Sequence, residues 1–488
     1  MSAPASDDVT RKRVTKTLLS LGAGLVMFLL CRGLPDNQAH VAGVFTTVVC
    51  LWIMEVYPLA VTALFAPALL VLVGQVDGKA AFAPFGNEIL FLFVGSFTLA
   101  KAFEIHGLHE RVAQWLLNRK AVTKSPASLL LGVGGLCLVL SLFISNTAVT
   151  IMMLPIALRL LERIGSESAK TGLGAALMLM LTWASSFAVG TPVATPPNLI
   201  GLGLIQEATK VEIGFGQWMV FAMPISILML VLGWIVLRIM FLRNPELKKL
   251  DLSQAAGPIE PISGGGKAVL WIFGITLVFW ICPDMFPVFL GPDHPVSQVF
   301  SKSFTPAAVA LVAMVLCYAL PAYEAEGGRV LTWKAGKEIS WSTVMLFGGG
   351  LAMGKAMFDS GLAATLGQSL VKITGANTVF AILIISVLAV VFVSELASNT
   401  AAVSTLVPVV IGICQAADVN PLAPALAATV AGSLGFMLPV STAPNAIVYS
   451  SGLVSSRQMI KSGVVVDVIG IFVVIGVLWL ILPLMGLV

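Results

Sequence analysis

Charge is what this chain has least of. Asp, Glu, Lys and Arg make up 11% of its 488 residues, against 58% hydrophobic residues, whereas a soluble domain carries about 25% charged residues. With a mean hydropathy of +0.98, the chain reads as an all-α polytopic membrane protein, and an ordinary soluble domain is excluded. The formal net charge of +4 is too small to point to nucleic acid. Ligand spacing for a metal is missing too. Cys31, Cys50, Cys137, Cys282, Cys317 and Cys414 form no CxxC pair, which argues against a zinc site and a disulfide framework and leaves them as packing residues. The four histidines, at 40, 106, 109 and 294, fall near predicted span ends. No paired acids and no nucleophile with a base lie at depth, and an intramembrane hydrolase would need one of these. Neither an enzyme nor a covalent cofactor is expected.

What is present is a succession of apolar runs. A transmembrane helix needs about 20 mostly apolar residues. Such runs lie near 15–31, 40–54, 58–74, 88–106, 216–240, 268–287, 304–320, 341–358 and 463–487. Arg11, Lys12, Arg13 and Lys16 precede the first, with no clear cleavage site behind it, so it reads as an uncleaved span. The stretches 127–161 and 376–412 are too long for one span, and each carries Ser-Asn-Thr near its middle, as a re-entrant hairpin would. The stretches 172–205 and 422–452 carry the Pro-rich breaks GTPVATPPN and LPVSTAPN, as spans broken into half-helices would. The expectation is about eleven transmembrane helices plus two re-entrant hairpins. With the N-terminus in the cytoplasm and the C-terminus outside, all but Arg32, Lys79, Lys210, Lys302, Lys355 and Lys372 of the 28 Lys and Arg fall inside, as the positive-inside rule requires.

The chain also repeats itself. FVGSFTLAKAFEIHGL at 93–108 matches FGGGLAMGKAMFDSGL at 347–362, with Lys101 against Lys355 and Gly107 against Gly361. SNT at 145–147 returns at 398–400, and the PPN ending at Asn198 returns as the APN ending at Asn445. Each half holds five spans, an odd number, so the second half is expected upside down relative to the first. The expected organisation is a cytoplasmic N-terminus with the first span (1–39), a first inverted repeat (40–240) and a cytoplasmic linker (241–267) ending in PISGGGK. A second inverted repeat (268–488) follows. Within the repeats, 40–106 and 268–358 are expected to form a scaffold, and 107–240 and 359–488 a transport part. Inverted-topology repeats with broken helices belong to secondary transporters.

Irregular backbone at membrane depth is tolerated only where it is buried in protein or lines a watery cavity. Two SNT tips and two Pro-broken helices make four such places, and pseudo-symmetry brings them together. They offer hydroxyls, amides, helix N-termini suited to anions and free carbonyls suited to a hard cation. No Arg or Lys lies in these segments, so a bound dianion would need cations beside it. Three charges at depth stand out. Glu395 adjoins the second SNT, where it either holds a cation or proton or ties down the hairpin through backbone N–H groups, the second being favoured. Glu55 is expected to cap a helix at a cytoplasmic turn. Lys101 and Lys355 are expected to snorkel to opposite interfaces.

The motifs SLFISNTA (141–148), GTPVATPPN (190–198), SELASNTA (394–401) and LPVSTAPN (438–445) resemble those of the divalent anion–sodium symporter family, the INDY-type di- and tricarboxylate transporters. The resemblance runs nearly the full length. It implies a first sodium site from Ser141, Ser145, Asn146 and the Ala194 carbonyl, and a second from Ser394, the Ala397 carbonyl, Asn399 and the region of Ser441. It implies substrate contacts from Asn146, Thr147 and Thr195 on one side and Ser398, Asn399, Thr400 and Thr442 on the other. Position 394 is Ser where Thr is common, 194 is Ala where Gly is common, and 443 is Ala where Pro is common; these departures bear on fine specificity. The implied protein is a homodimer in the inner membrane that couples sodium entry to uptake of C4-dicarboxylates such as succinate, malate or fumarate. Alternating access would proceed by an elevator motion. The alternatives are the same fold acting on citrate or sulfate, or exchanging dicarboxylates without sodium. The expected partners are the dicarboxylate, Na+ and the lipid bilayer.

Overall fold

The computed structural model describes residues 4–164, 172–245, 247, 252, 261–323 and 326–487. Residues 246, 248–251 and 253–260 of the linker expected at 241–267 lie outside them, as do Lys170, Lys248 and Lys249 of the charge distribution. Among the described residues the ordered elements are helical, and both halves run through them in one order. After the first helix, Pro4–Leu30, the first half has Asp36–Ile53, Leu59–Leu72, Glu88–Ile105 and Leu108–Leu117. The second has Gly264–Leu290, Pro306–Ala319, Trp341–Asp359 and Leu362–Thr374. Each continues into a hairpin, Pro126–Ser141 with Asn146–Ile164 and Val379–Leu396 with Asn399–Ala416. A broken span follows, Gly174–Ser186 with Pro196–Thr209 and Leu422–Ala431 with Ala443–Ser450. A long helix ends each half, Phe215–Phe241 and Ser456–Leu484.

Among the described residues six helices are long and apolar enough to cross a membrane alone, or eight if each of two bent pairs counts as one span. The hairpin and break helices Pro126–Ser141, Gly174–Ser186 and Leu422–Ala431 are shorter because the chain is interrupted at depth. Large apolar side chains such as Trp271, Val288, Phe472 and Leu484 are exposed, as they are when the surrounding solvent is hydrocarbon.

The two halves interlock through helices of the segments expected to form the scaffold. Glu88–Ile105 packs on Pro306–Ala319 of the other half, and Trp341–Asp359 on Leu59–Leu72. Gly95 and Gly349 occupy matching positions of the repeat and do the same work. A Cβ at Gly95 would lie 2.5 Å from the Ala310 backbone, and one at Gly349 would lie 2.2 Å from the Ala63 carbonyl oxygen. With little hydrophobic drive between helices in lipid, such close backbone approach is what holds them.

Gly107 and Gly361, also repeat mates, both adopt the left-handed conformation (φ 59° and 75°) and turn the chain into an amphipathic helix. The first of these turns bends by 60°. These helices are not apolar runs and the sequence reading did not foresee them. The end of the linker is a second correction. Gly264–Lys267 is helical, because the Ser263 hydroxyl accepts a hydrogen bond from the Gly266 amide (3.1 Å) and caps the helix. Gly265 is there for close packing, since a Cβ would meet the His106 ring at 2.2 Å.

Candidate functional site

Each hairpin turns on a few residues that cannot continue a helix. The first helix ends at Ser141, and the next begins at Asn146. In the second hairpin Ala397 is extended (φ −138°) and Ser398 precedes the helix Asn399–Ala416. Beside the first tip the broken span unwinds after Ser186, makes a short turn at Pro192–Ala194 and restarts at Pro196. The Thr191 hydroxyl donates to the Leu142 carbonyl and pins this break to the hairpin.

Both breaks are held by an asparagine. Asn198 Nδ2 donates to the Val189 (3.2 Å) and Thr191 (2.9 Å) carbonyls. Asn445 Nδ2 donates to the Gly435 and Leu438 carbonyls, both at 2.9 Å. The two side chains are fully buried. The PPN and APN signatures are thus the staples of the unwound backbone, a role their repetition signalled but did not spell out. The halves also bond to each other here. The Thr182 hydroxyl donates to Asn445 Oδ1 (2.5 Å), and Thr195 and Ser433 hydroxyls lie 3.3 Å apart.

The four interruptions surround one cavity of about 600 Å³. Its wall includes Ser145, Asn146, Thr147, Ala194 and Thr195 from the first half and Ser398, Asn399, Thr400, Ser441 and Thr442 from the second. Ser141, Ser394 and Ala397 stand behind this wall, buried. Helices beginning at Asn146, Pro196, Asn399 and Ala443 start at the cavity, so partial positive charge gathers there. Among the described residues no Lys or Arg lines it.

The two tips differ. The Ser141 hydroxyl and the Asn146 amide oxygen are buried without a hydrogen-bond partner. Two orphaned oxygens at one tip suit a hard cation, which takes oxygen ligands. At the second tip Ser394 Oγ lies 2.7 Å from Asn399 Oδ1 and 3.0 Å from the Gly432 carbonyl, so its oxygens already have partners.

Glu395 acts on neighbouring backbone, although not on its own hairpin. It accepts from the Met437 and Leu438 amides (3.0 and 3.3 Å) and from the Ser441 hydroxyl (2.6 Å), which braces the loop of the second broken span. Buried Asp467 lies against it, which corrects the expectation that no paired acids lie at depth. Glu55 does not cap a helix. It sits in the expected turn with φ 47°, and Pro58 takes the N-cap position of the next helix, so Glu55 is left to line the cavity. The two lysines do not snorkel free. Lys101 pairs with Glu104 (3.3 Å) and Glu338 (3.6 Å), and Lys355 with Glu207 (2.9 Å) and Asp359 (3.3 Å). Acids within reach satisfy each ammonium, and neither lysine lines the cavity.

A family described as "Sodium:sulfate symporter transmembrane region" matches residues 11–487. The chain belongs to that family. Its members are transporters, so the chain is a multi-pass membrane transporter and not an enzyme. The chain is 32% identical over 487 residues to the sodium-dependent dicarboxylate transporter SdcS of Staphylococcus saprophyticus, covering 95% of this chain and 91% of that one. It is 31% identical over 489 residues to the SdcS of Staphylococcus aureus strain MRSA252, covering 96% and 92%. The crystal structure of the Alcanivorax borkumensis YdaH transporter has the same fold. The TM-score is 0.58 at 17% identity, over 96% of this chain and 98% of that one.

Proposed function

We propose that this family member is a sodium-coupled secondary transporter that imports C4-dicarboxylates such as succinate, malate or fumarate by alternating access. One observation carries the proposal: a cavity walled by both SNT tips and both breaks that contains no basic side chain. A dianion there meets hydroxyls, amides and helix N-termini, and the one charged side chain on the wall is the acid Glu55, so its charge calls for co-bound cations. Asn146, Thr147 and Thr195 would hold one carboxylate and Ser398, Asn399, Thr400 and Thr442 the other. One sodium would take Ser141, Ser145, Asn146 and the Ala194 carbonyl. A second would take Ser394, the Ala397 carbonyl, Asn399 and Ser441. Binding of ion and acid is then mutually dependent, which is coupling in its simplest form.

Two relatives named sodium-dependent dicarboxylate transporters support this cargo. The repeated element order and the reciprocal Gly95 and Gly349 contacts support two inverted repeats, 40–240 and 268–488. Their scaffold parts would be 40–106 and 268–358, and 107–240 and 359–488 would move against them as an elevator. The proposed assembly is a homodimer in the inner membrane with the N-terminus cytoplasmic and the C-terminus outside. The cavity wall includes the turn residues Glu55 and Leu59 and the helix-start residues Ser340 and Thr343, which this topology places toward the cytoplasm.

The test is labelled succinate uptake into proteoliposomes under an inward sodium gradient. Saturable uptake that vanishes when potassium replaces sodium is the expected result, with malate and fumarate competing better than citrate or sulfate. Uptake without sodium, but requiring vesicles preloaded with a dicarboxylate, would replace the symporter with an exchanger.

A further inference from the structure

We propose that residues 207–216 form a one-sided latch that fastens the transport part to the scaffold and holds the transporter in the end state seen here. The inference rests on the alternating-access reading above.

Two ties make the latch. Lys355, on the scaffold helix Trp341–Asp359, pairs with Glu207 at the end of the broken span Pro196–Thr209 at 2.9 Å. Asp284, on the scaffold helix Gly264–Leu290, accepts a hydrogen bond from the Gly216 amide at 2.6 Å. Gly216 lies in the first turn of Phe215–Phe241, so Asp284 satisfies one of that helix's free N–H groups from outside. The fit is close: a Cβ on Gly214 would lie 2.0 Å from Asp284 Oδ1. Broken span and scaffold are pressed together along the same line, where a Cβ on Gly354 would meet Leu204 at 2.3 Å.

The latch is remote from the cargo. Thr195 and Thr343 line the cavity. Glu207 follows the first and Lys355 the second by twelve residues each, about 18 Å of helix axis. The cavity therefore lies at one end of both helices and the ion pair at the other.

Among the described residues the latch also has no twin, although the fold repeats. Lys101, the mate of Lys355, pairs with Glu104 and Glu338, both within the proposed scaffold. The helix Ser456–Leu484, the mate of Phe215–Phe241, is capped by its own Ser455 and Gln458. Two matched end states would carry two matched ties; a tie on one side alone biases the equilibrium toward the state that contains it. Sliding of the transport part by more than a few ångström breaks both contacts, so the latch opens once in every cycle.

The test uses the full-length protein with its six cysteines replaced. Spin labels go on Phe472→Cys in the transport part and Val312→Cys in the scaffold, both exposed positions. Distances between the labels are measured in lipid nanodiscs. The expected result is a dominant distance with a minor second one. Lys355→Gln or Glu207→Gln should enlarge the minor population by roughly two- to five-fold, the range for a part-exposed ion pair. The double variant should do no more than either single one, because both remove the same contact. Asp284→Asn should add to the effect, and Lys355→Arg should leave the wild-type ratio. Two distances in the wild type whose ratio ignores Lys355→Gln, Glu207→Gln and Asp284→Asn would overturn the latch and leave alternating access standing. A single distance in every variant, in protein that still takes up succinate, would instead overturn the moving-unit reading on which the latch rests.

Discussion

Ser141 offers a test in which stability and transport move in opposite directions. Its hydroxyl is fully buried and has no hydrogen-bond partner. In a protein with no ion at that tip, an unsatisfied buried hydroxyl is a burden of about 1–3 kcal/mol. Ser141→Ala removes it, so in sodium-free detergent the variant should be at least as stable as the wild type. In the presence of sodium the same hydroxyl becomes a ligand. Losing an interaction with a charged group removes about 1.5–3 kcal/mol of binding, which corresponds to a roughly ten- to hundred-fold weaker sodium response. The assay is succinate uptake against sodium concentration, paired with thermal denaturation with and without sodium. Sodium should raise the midpoint of the wild type, as any ligand of the folded state does, and should raise that of Ser141→Ala much less. A thermal midpoint that drops sharply without sodium would mean that the hydroxyl has a protein partner. An unchanged sodium response would mean that the orphaned oxygens at the first tip hold no cation, and the ligand assignment would fall.

Three further outcomes are expected. Asn146→Ala and Asn399→Ala should each abolish succinate uptake while purified protein still runs as folded by size exclusion, since both line the cavity from a hairpin tip; normal uptake by either would refute the site. Asn445→Ala leaves the Gly435 carbonyl and the Thr182 hydroxyl without their partner, while the Leu438 carbonyl keeps the Ser441 amide. At about 1 kcal/mol or more for each buried group left unsatisfied, that is roughly 2 kcal/mol, and a thermal midpoint within one degree of wild type would contradict it. Gly349→Leu drives a side chain into the Ala63 backbone, and overpacking of this kind costs about 1–3 kcal/mol or more; the expected readout is poor recovery of folded protein, against near-normal recovery for a leucine at Gly135, which faces open space.

The site was legible in the sequence because its residues violate their surroundings. SNT and PPN inside apolar runs are expensive at membrane depth, and their repetition in order marks them as a pair of matched devices. Ten of the residues that the family resemblance implied line one cavity. The distinction between wall and backing was not legible: Ser141, Ser394 and Ala397 sit behind the surface, and motif spacing does not encode depth. The helices Leu108–Leu117 and Leu362–Thr374 escaped because a search for continuous hydrophobicity passes over an amphipathic face. Gly264–Lys267 was taken for a linker because three glycines look the same whether they give freedom or closeness. Lys355–Glu207 and Asp284–Gly216 join residues far apart in the chain, and nothing local at either end names its partner. Gly95 and Gly349 stood in the repeat from the start, but which helix lies against each is a property of the assembled fold.

The asparagine staples have a consequence for the empty carrier. Asn198 and Asn445 fasten their unwound loops with protein hydrogen bonds alone, so neither break depends on cargo to keep its shape. The receptor is moulded before its guests arrive. Ion and acid then meet a wall that has already lost its conformational freedom, and their binding energy goes into affinity and coupling instead of into folding a loop. In the proposed cycle the same wall would travel back vacant without collapsing, ready for the next load.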